Sequence, residues 1–269
     1  LAAEGCQGII ICNSSDTEMT SAIKTCNDNK VYLAQFFRVI SQENSADIYQ
    51  AAKDSDYYIG AVHEDEPANG EELVNILLNK GDRNIGLIGW EQGDATWLGR
   101  WEGYKAGVDK WNEEHPDDQA KLSEPQYAGT TSEGGSKAAE ALMAADPNLD
   151  ALIPAGGGGD PLQGAIAAVE RAGKTADIDI VSTDFLPDLG DRLENGSMAG
   201  ESGGHFCDPL IAFMMVYNAV KGNYKDFGGK FEDVPFPYLY VSSADDYKNY
   251  EKYFVDHLPY TDIFCHSNL

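Results

Sequence analysis

YIGAVHEDEPANGEELVNILLNKGDRNIGLIG (Tyr58–Gly89) decides the fold. An apolar run, Tyr57–Val62, opens the stretch and a second, Asn84–Gly89, closes it. Runs of this kind, without polar alternation, are strands covered on both faces. Between them Leu73, Ile76 and Leu77 share one helical face. Pro67 and Asn69 mark the helix start and Lys80-Gly81 its end. Strand, helix, strand is the repeating unit of parallel α/β proteins.

The same alternation runs outward in both directions. Further strands are expected at Gly8–Cys12, Val31–Phe36, Ala151–Ala155, Ile178–Thr183, Met198–Glu201 and Tyr238–Ser242. Helical spacing covers Trp97–Glu114, Ser132–Ala145, Pro161–Ala172 and Asp208–Val220, with Pro116, Pro147, Gly173 and Gly222 just beyond their ends. No solenoid-length repeat or low-complexity tract interrupts the pattern. Open parallel sheets bind ligands at the carboxyl ends of their strands. Candidate site residues are therefore those that directly follow each strand.

Composition narrows the function. The 269 residues carry 19 Lys and Arg against 45 Asp and Glu, a formal charge of −26. Nucleic-acid binding needs phosphate neutralisation, so this balance argues against it. No run of 18 apolar residues predicts a transmembrane helix. Cys6, Cys12, Cys26, Cys207 and Cys265 lack CxxC spacing, which makes a zinc site improbable and free thiols, with at most one disulfide, the expectation. The histidines show no metal spacing, and no Ser-His-Asp order, nucleophile elbow or carboxylate pair points to catalysis. Neither an enzyme nor a bound cofactor is expected.

Several segments together resemble the type I periplasmic binding proteins, in their sugar-binding ribose/galactose-binding-like branch, and the effector domains of lactose-repressor-type regulators. They are Tyr58–Asp65 followed by Asn69-Gly70-Glu71 and Lys80–Gly89; Arg100-Trp101-Glu102-Gly103-Tyr104, which matches an R-x-x-G-(F/Y) helix; Asp150–Ile153 with Gly164-Ala165 and Ala172-Gly173-Lys174; Ile180–Asp184, a strand ending in Asp; and Glu194–Gly200, a (D/E)-N-G-x-(L/M) step. Their order spans residues 1–242. The resemblance implies an α/β fold of two Rossmann-like lobes with parallel sheets, joined by a three-crossing hinge, with the ligand in the cleft. Lobe one would be residues 1–64 plus 203–240, lobe two residues 65–202, and residues 241–269 a C-terminal crossing and tail. It also implies two βα units ahead of Gly8–Cys12, roughly 60 residues at ~30 per unit. These would hold part of the cleft, an export signal and any lipid-attachment cysteine.

The resemblance places a sugar-binding arginine at Arg100, whose forked donors suit vicinal hydroxyls or a carboxylate. Asp184 would accept hydroxyl hydrogen bonds, or else cap the helix from Pro187 onward. Asp160 follows Gly156–Gly159, where the family usually has an amide-bearing pair. The glycines allow close backbone approach or an anion nest, and Asp160 could equally cap Pro161. Phe36 and Phe37, with Arg38 next, end a strand where aromatic faces could stack on a sugar or pack in the core. Trp90 and Trp97 are similar stacking candidates, and Glu91 is a possible hydroxyl acceptor. His205 lies near the second crossing, as a donor to a hydroxyl or as a hinge histidine.

The function implied is an extracytoplasmic solute-binding protein that captures a small sugar by hinge closure and delivers it to the membrane subunits of an ABC importer, or to a chemoreceptor. It would touch the membrane only through a lipid anchor on the N-terminal extension. The alternatives are the effector-binding domain of a lactose-repressor-type regulator and a quorum-signal sugar receptor.

Overall fold

The computed structural model describes residues 4–38, 40, 45–156, 159–223 and 232–256, with the side chain of Asp160 excepted. In chain order the elements begin with β1 Gly8–Ile11, α1 Asp16–Asn29, β2 Tyr32–Phe36, α2 Ala46–Asp54, β3 Tyr58–Glu64, α3 Glu66–Lys80, β4 Asn84–Gly89 and α4 Ala95–Glu114. Next come β5 Lys121–Leu122, β6 Gln126–Tyr127, α5 Ser132–Ala145, β7 Ala151–Pro154, α6 Asp160–Arg171, β8 Asp179–Thr183 and α7 Leu189–Asn195. The last are β9 Gly200–Gly203, α8 Asp208–Val220, β10 Glu232–Phe236, β11 Leu239–Val241 and α9 Ala244–Tyr250. A 3₁₀ turn, His205–Cys207, precedes α8, and one turn of π-helix, Glu251–Asp256, follows α9.

The chain divides into two compact units. Unit 1 is Leu1–Asp65 with Gly204–Tyr238, and unit 2 is Glu66–Gly203 with Leu239–Leu269. Unit 1 holds a four-stranded parallel sheet in the order β1-β2-β3-β10. One of its cores gathers Met19, Ile23, Leu33, Ile48 and Tyr58, and another, under α8, gathers Ala34, Ile59, Val62, Ala212 and Val216. The apolar runs of β2 and β3 are buried on both faces, as parallel strands between helices must be.

Unit 2 carries the order β11-β9-β8-β7-β4-β5, with β6 also on β4. All its pairings are parallel except β11 on β9. The strand read at Tyr238–Ser242 thus belongs to this sheet, through Leu239–Val241. Asp94 caps α4 by accepting from the Trp97 amide at 2.8 Å, and Thr131 caps α5 by accepting from Gly134 at 3.1 Å.

Glycine sets the spacing of the helices in unit 2. A Cβ on Gly103 would run into the Pro67 carbonyl oxygen, and one on Gly70 into the Arg100 carbonyl. The α5/α6 crossing repeats the device: Gly135 meets the Pro161 carbonyl and Gly164 the Ser132 carbonyl. The Gly of the R-x-x-G motif is therefore a close-approach point between α3 and α4, not a ligand contact.

Candidate functional site

Two side-chain groups collect at strand carboxyl ends, one in each unit. In unit 2 the chain leaves β4 through Trp90 and Glu91, and α4 then brings Arg100 back beside that loop. The Arg100 guanidinium lies 5.4 Å from the Trp90 ring centre. It is gripped by Glu66 at the start of α3, Nε to Oε2 at 2.6 Å and Nη2 to Oε1 at 3.2 Å. Arg100 is only 4% exposed. Its charge is therefore matched within the unit by a forked pairing with a carboxylate. An open cavity of about 550 Å³ beside the loop is lined by Trp90, Glu91, Gln92, Gly93, Asp94 and Thr130.

Trp97 corrects an expectation. It is fully buried among Leu73, Leu77, Leu87 and Tyr104, packs on Gly89 and lies 5.9 Å from the Tyr104 ring, so it is a core residue and no stacking platform. Half-buried Trp90 and exposed Glu91 keep the placement expected of them, on the loop after β4.

At the end of β8, Asp184 adopts φ +75°, a left-handed conformation uncommon outside glycine. Its amide donates to the Ser202 carbonyl at 2.8 Å. The strand end beneath it is fixed by a buried network: Asn69 Nδ2 and Ser202 Oγ both reach Thr183 Oγ1, at 3.2 and 3.0 Å. Asp188, not Asp184, immediately precedes α7, so the capping alternative for Asp184 falls away. Asp160 begins α6, and its side chain lies outside the described residues, as do Gly157 and Gly158.

Glu201 on β9 is fully buried. Its Oε2 accepts from the Leu186 amide at 2.7 Å, and Oε1 has no hydrogen-bond partner. Burial, with Asp184 adding repulsion, pushes its carboxyl up to about 8 from 4.5. A carboxyl raised on folding contributes stability that is complete below pH 4.5 and lost as pH rises through about 8. Wild-type unfolding midpoints should therefore fall between pH 5.5 and pH 9. Glu201→Gln should flatten that fall, gaining on the order of 2 kcal/mol on wild type at the alkaline end. Parallel pH curves for the two proteins would refute the assignment.

In unit 1, β2 ends at Phe36, and Phe37 follows with φ +59°, an outlier for a bulky side chain. Its amide donates to the Val62 carbonyl at 3.0 Å. The rings form an edge-on row: Phe36 to Phe37 at 5.0 Å, Phe37 to His205 at 5.6 Å and His205 to Tyr238 at 5.6 Å. Phe36 and Phe37 are half-buried, so neither is wholly absorbed into the core. Arg38 is exposed. Glu64, the last residue of β3, faces the carboxyl of Asp208 at the start of α8. Burial and that facing carboxyl push Glu64 up to about 8, and burial also raises Asp208.

Sequence reasoning missed Glu66, the Asn69–Thr183–Ser202 network, Glu201 and the Glu64–Asp208 pair. The acidic run Glu64-Asp65-Glu66 between a strand and a helix was the available signal for two of them.

Two parallel α/β units, with polar and aromatic side chains gathered at their strand ends, define a two-unit solute-binding class. The chain belongs to the periplasmic binding protein domain family, whose model matches residues 1–221. Solved structures share the fold. An ABC transporter periplasmic solute binding protein from Actinobacillus succinogenes 130z, with bound D-allose, is similar at TM-score 0.73 and 16% identity over 93% of this chain and 81% of that one. A Mycobacterium smegmatis protein in complex with β-D-fucofuranose gives 0.70 and 19%, over 96% and 78%. The periplasmic binding protein of the arabinose ABC transporter from Shewanella sp. ANA-3, bound to α- and β-L-arabinofuranose, gives 0.68 and 19%, over 100% and 82%. No curated protein sequence matches. Among the described residues no helix is long and apolar enough to cross a membrane.

Proposed function

We propose that this protein is an extracytoplasmic binding protein for a small sugar, which it delivers to an ABC importer. The observation that carries the reading is the placement of Arg100 against Trp90 after β4, with Asp184 at the same-unit strand end of β8, two strands along the sheet. An aromatic face suits the C–H face of a sugar, and planar polar groups suit its hydroxyls. Phe36, Phe37 and His205 offer similar chemistry in unit 1. The sugars named for the three solved structures support the same class of ligand. The two units act as lobes: ligand selects the closed form, and that form is what a membrane partner reads. The protein binds and hands over its ligand without turnover.

A thermal-shift and calorimetry panel of pentoses, hexoses and amino acids tests this. One sugar at a hundred times its dissociation constant should stabilise the protein by about 2.7 kcal/mol, which raises the midpoint by several degrees. Stabilisation by an amino acid and by no sugar would overturn the reading.

A further inference from the structure

In unit 1, the carboxyl end of β3 and the start of α8 bring two carboxyls face to face. Asp208 is fully buried, and neither of its oxygens closes a well-formed hydrogen bond. They face the Glu64 carboxyl, the Phe37 amide and the His205 ring. Glu64 Oε1 is likewise buried without a partner. No lysine or arginine pairs with either acid among the described residues. With only the His205 ring beside them, two facing buried carboxyls resist ionising together, so they hold a proton between them. Such a pair lowers stability, and buried unsatisfied groups of this kind mark places where something else is meant to bind.

The surroundings say what. Through His205 and the Phe37 amide the pair adjoins the row Phe36, Phe37, His205 and Tyr238, whose rings lie 5.0 to 5.6 Å apart. Aromatic faces beside carboxylates recognise organic cations. No group of three or more His, Cys, Asp or Glu side chains among the described residues is arranged to hold a metal ion. In unit 2, the Arg100 guanidinium is already matched by Glu66, which leaves a ligand carboxylate or phosphate poorly served there. The −26 charge of the chain attracts cations and repels anions.

We infer that Glu64, Asp208 and the ring row form a subsite for a protonated amine, so that the preferred ligand is an amine-bearing sugar rather than a neutral or acidic one. This rests on the sugar-binding reading. The ammonium pairs with the ionised carboxyls, and the proton they share leaves to solvent.

The test compares glucose, galactose and mannose with their 2-amino and uronic acid counterparts by calorimetry at pH 7. An amino sugar should bind at least tenfold tighter than its neutral parent, and the uronic acid more weakly than either. Titration in two buffers of different ionisation enthalpy should show proton release with the amino sugar and none with the parent. In Asp208→Asn the ratio of amino to neutral affinity should fall to about one. If that variant does not fold, Glu64→Gln and the wild-type proton count carry the test. A neutral or acidic sugar that binds as tightly as the amine, or amine binding without proton release, overturns the inference and leaves sugar binding standing. Failure of all nine sugars overturns the inference, and the panel of pentoses, hexoses and amino acids then decides the sugar-binding reading separately.

Discussion

Gly103→Val is expected to cost unit 2 its cooperative folding transition. Gly103 lies where α4 crosses α3, and any Cβ there meets the Pro67 carbonyl oxygen, the Glu71 amide and the Gly70 Cα. All three are backbone atoms, so no rotamer change can clear the space. The helices must separate, and the cost exceeds the usual 1–3 kcal/mol of an overpacked core, reaching roughly 3–5 kcal/mol. Gly70 presses on α4 from the opposite side, which removes the option of a small tilt. The same separation would pull Glu66 from Arg100 and Asn69 from Thr183, because Glu66 and Asn69 ride on α3. Against a total stability of about 5–15 kcal/mol this is a large fraction. Circular dichroism should show a broadened transition in chemical denaturant and, on heating, a midpoint lower by about 10 °C. Ala106→Val, at an exposed position of the same helix, supplies the propensity control and should cost under about 1 kcal/mol. Equal behaviour of the two variants would show that the crossing is not close-packed.

The fold was legible wherever a strand is an apolar run between helices. Gly8–Ile11, Tyr32–Phe36, Tyr58–Glu64, Asn84–Gly89, Ala151–Pro154 and Asp179–Thr183 fall within two residues of their expected ends. β10 escaped because Glu232–Phe236 holds two acids and Pro235, a composition that survives only at a sheet edge, where β10 lies. β5 and β6 are two residues each, too short for any periodicity to register. Helix α1 is rich in Asp, Asn, Thr and Ser, which weakens the apolar stripe of Met19 and Ile23, and α2 is only nine residues long, with Ile48 and Ala52 its buried positions. The positions of the candidate residues were legible where a motif tied them to an element, with Asp184 at the end of β8 and Arg100 on α4. It was not legible where meaning depends on a tertiary partner. Glu66 is 34 residues from Arg100, and nothing in their types announces that they pair. Trp97 is different, because its burial was available. Trp97, Arg100, Tyr104 and Val108 recur at three- and four-residue steps, and all four are buried. That repeat puts Trp97 on the inner face of α4, leaving Trp90, on the loop, as the half-buried ring.

Arg100→Ala should abolish ligand binding, but its effect on the fold has to be separated first. The guanidinium is not a solvated arm awaiting a sugar: its side chain is 5% exposed, against 17% for Glu66, and the pair is forked. Removing one member of a buried pair strands the other charge, which costs about 3–5 kcal/mol. The single variant is thus expected to be less stable and to bind nothing, and either effect alone could explain lost binding. Arg100→Ala with Glu66→Gln removes both charges and should recover most of the stability. If Arg100 contacts ligand, the double variant, although folded, should still bind at least a hundredfold more weakly than wild type, about 2.7 kcal/mol or more. Glu66→Gln alone strands the Arg100 charge and should also lower stability, although the new amide retains one acceptor for it, and any affinity for an acidic sugar should rise relative to wild type. The readouts are calorimetric affinity and denaturation midpoint, measured on all four proteins. A double variant that is both stable and fully competent to bind would make the Glu66–Arg100 pair a brace between α3 and α4, and would take Arg100 out of the binding site.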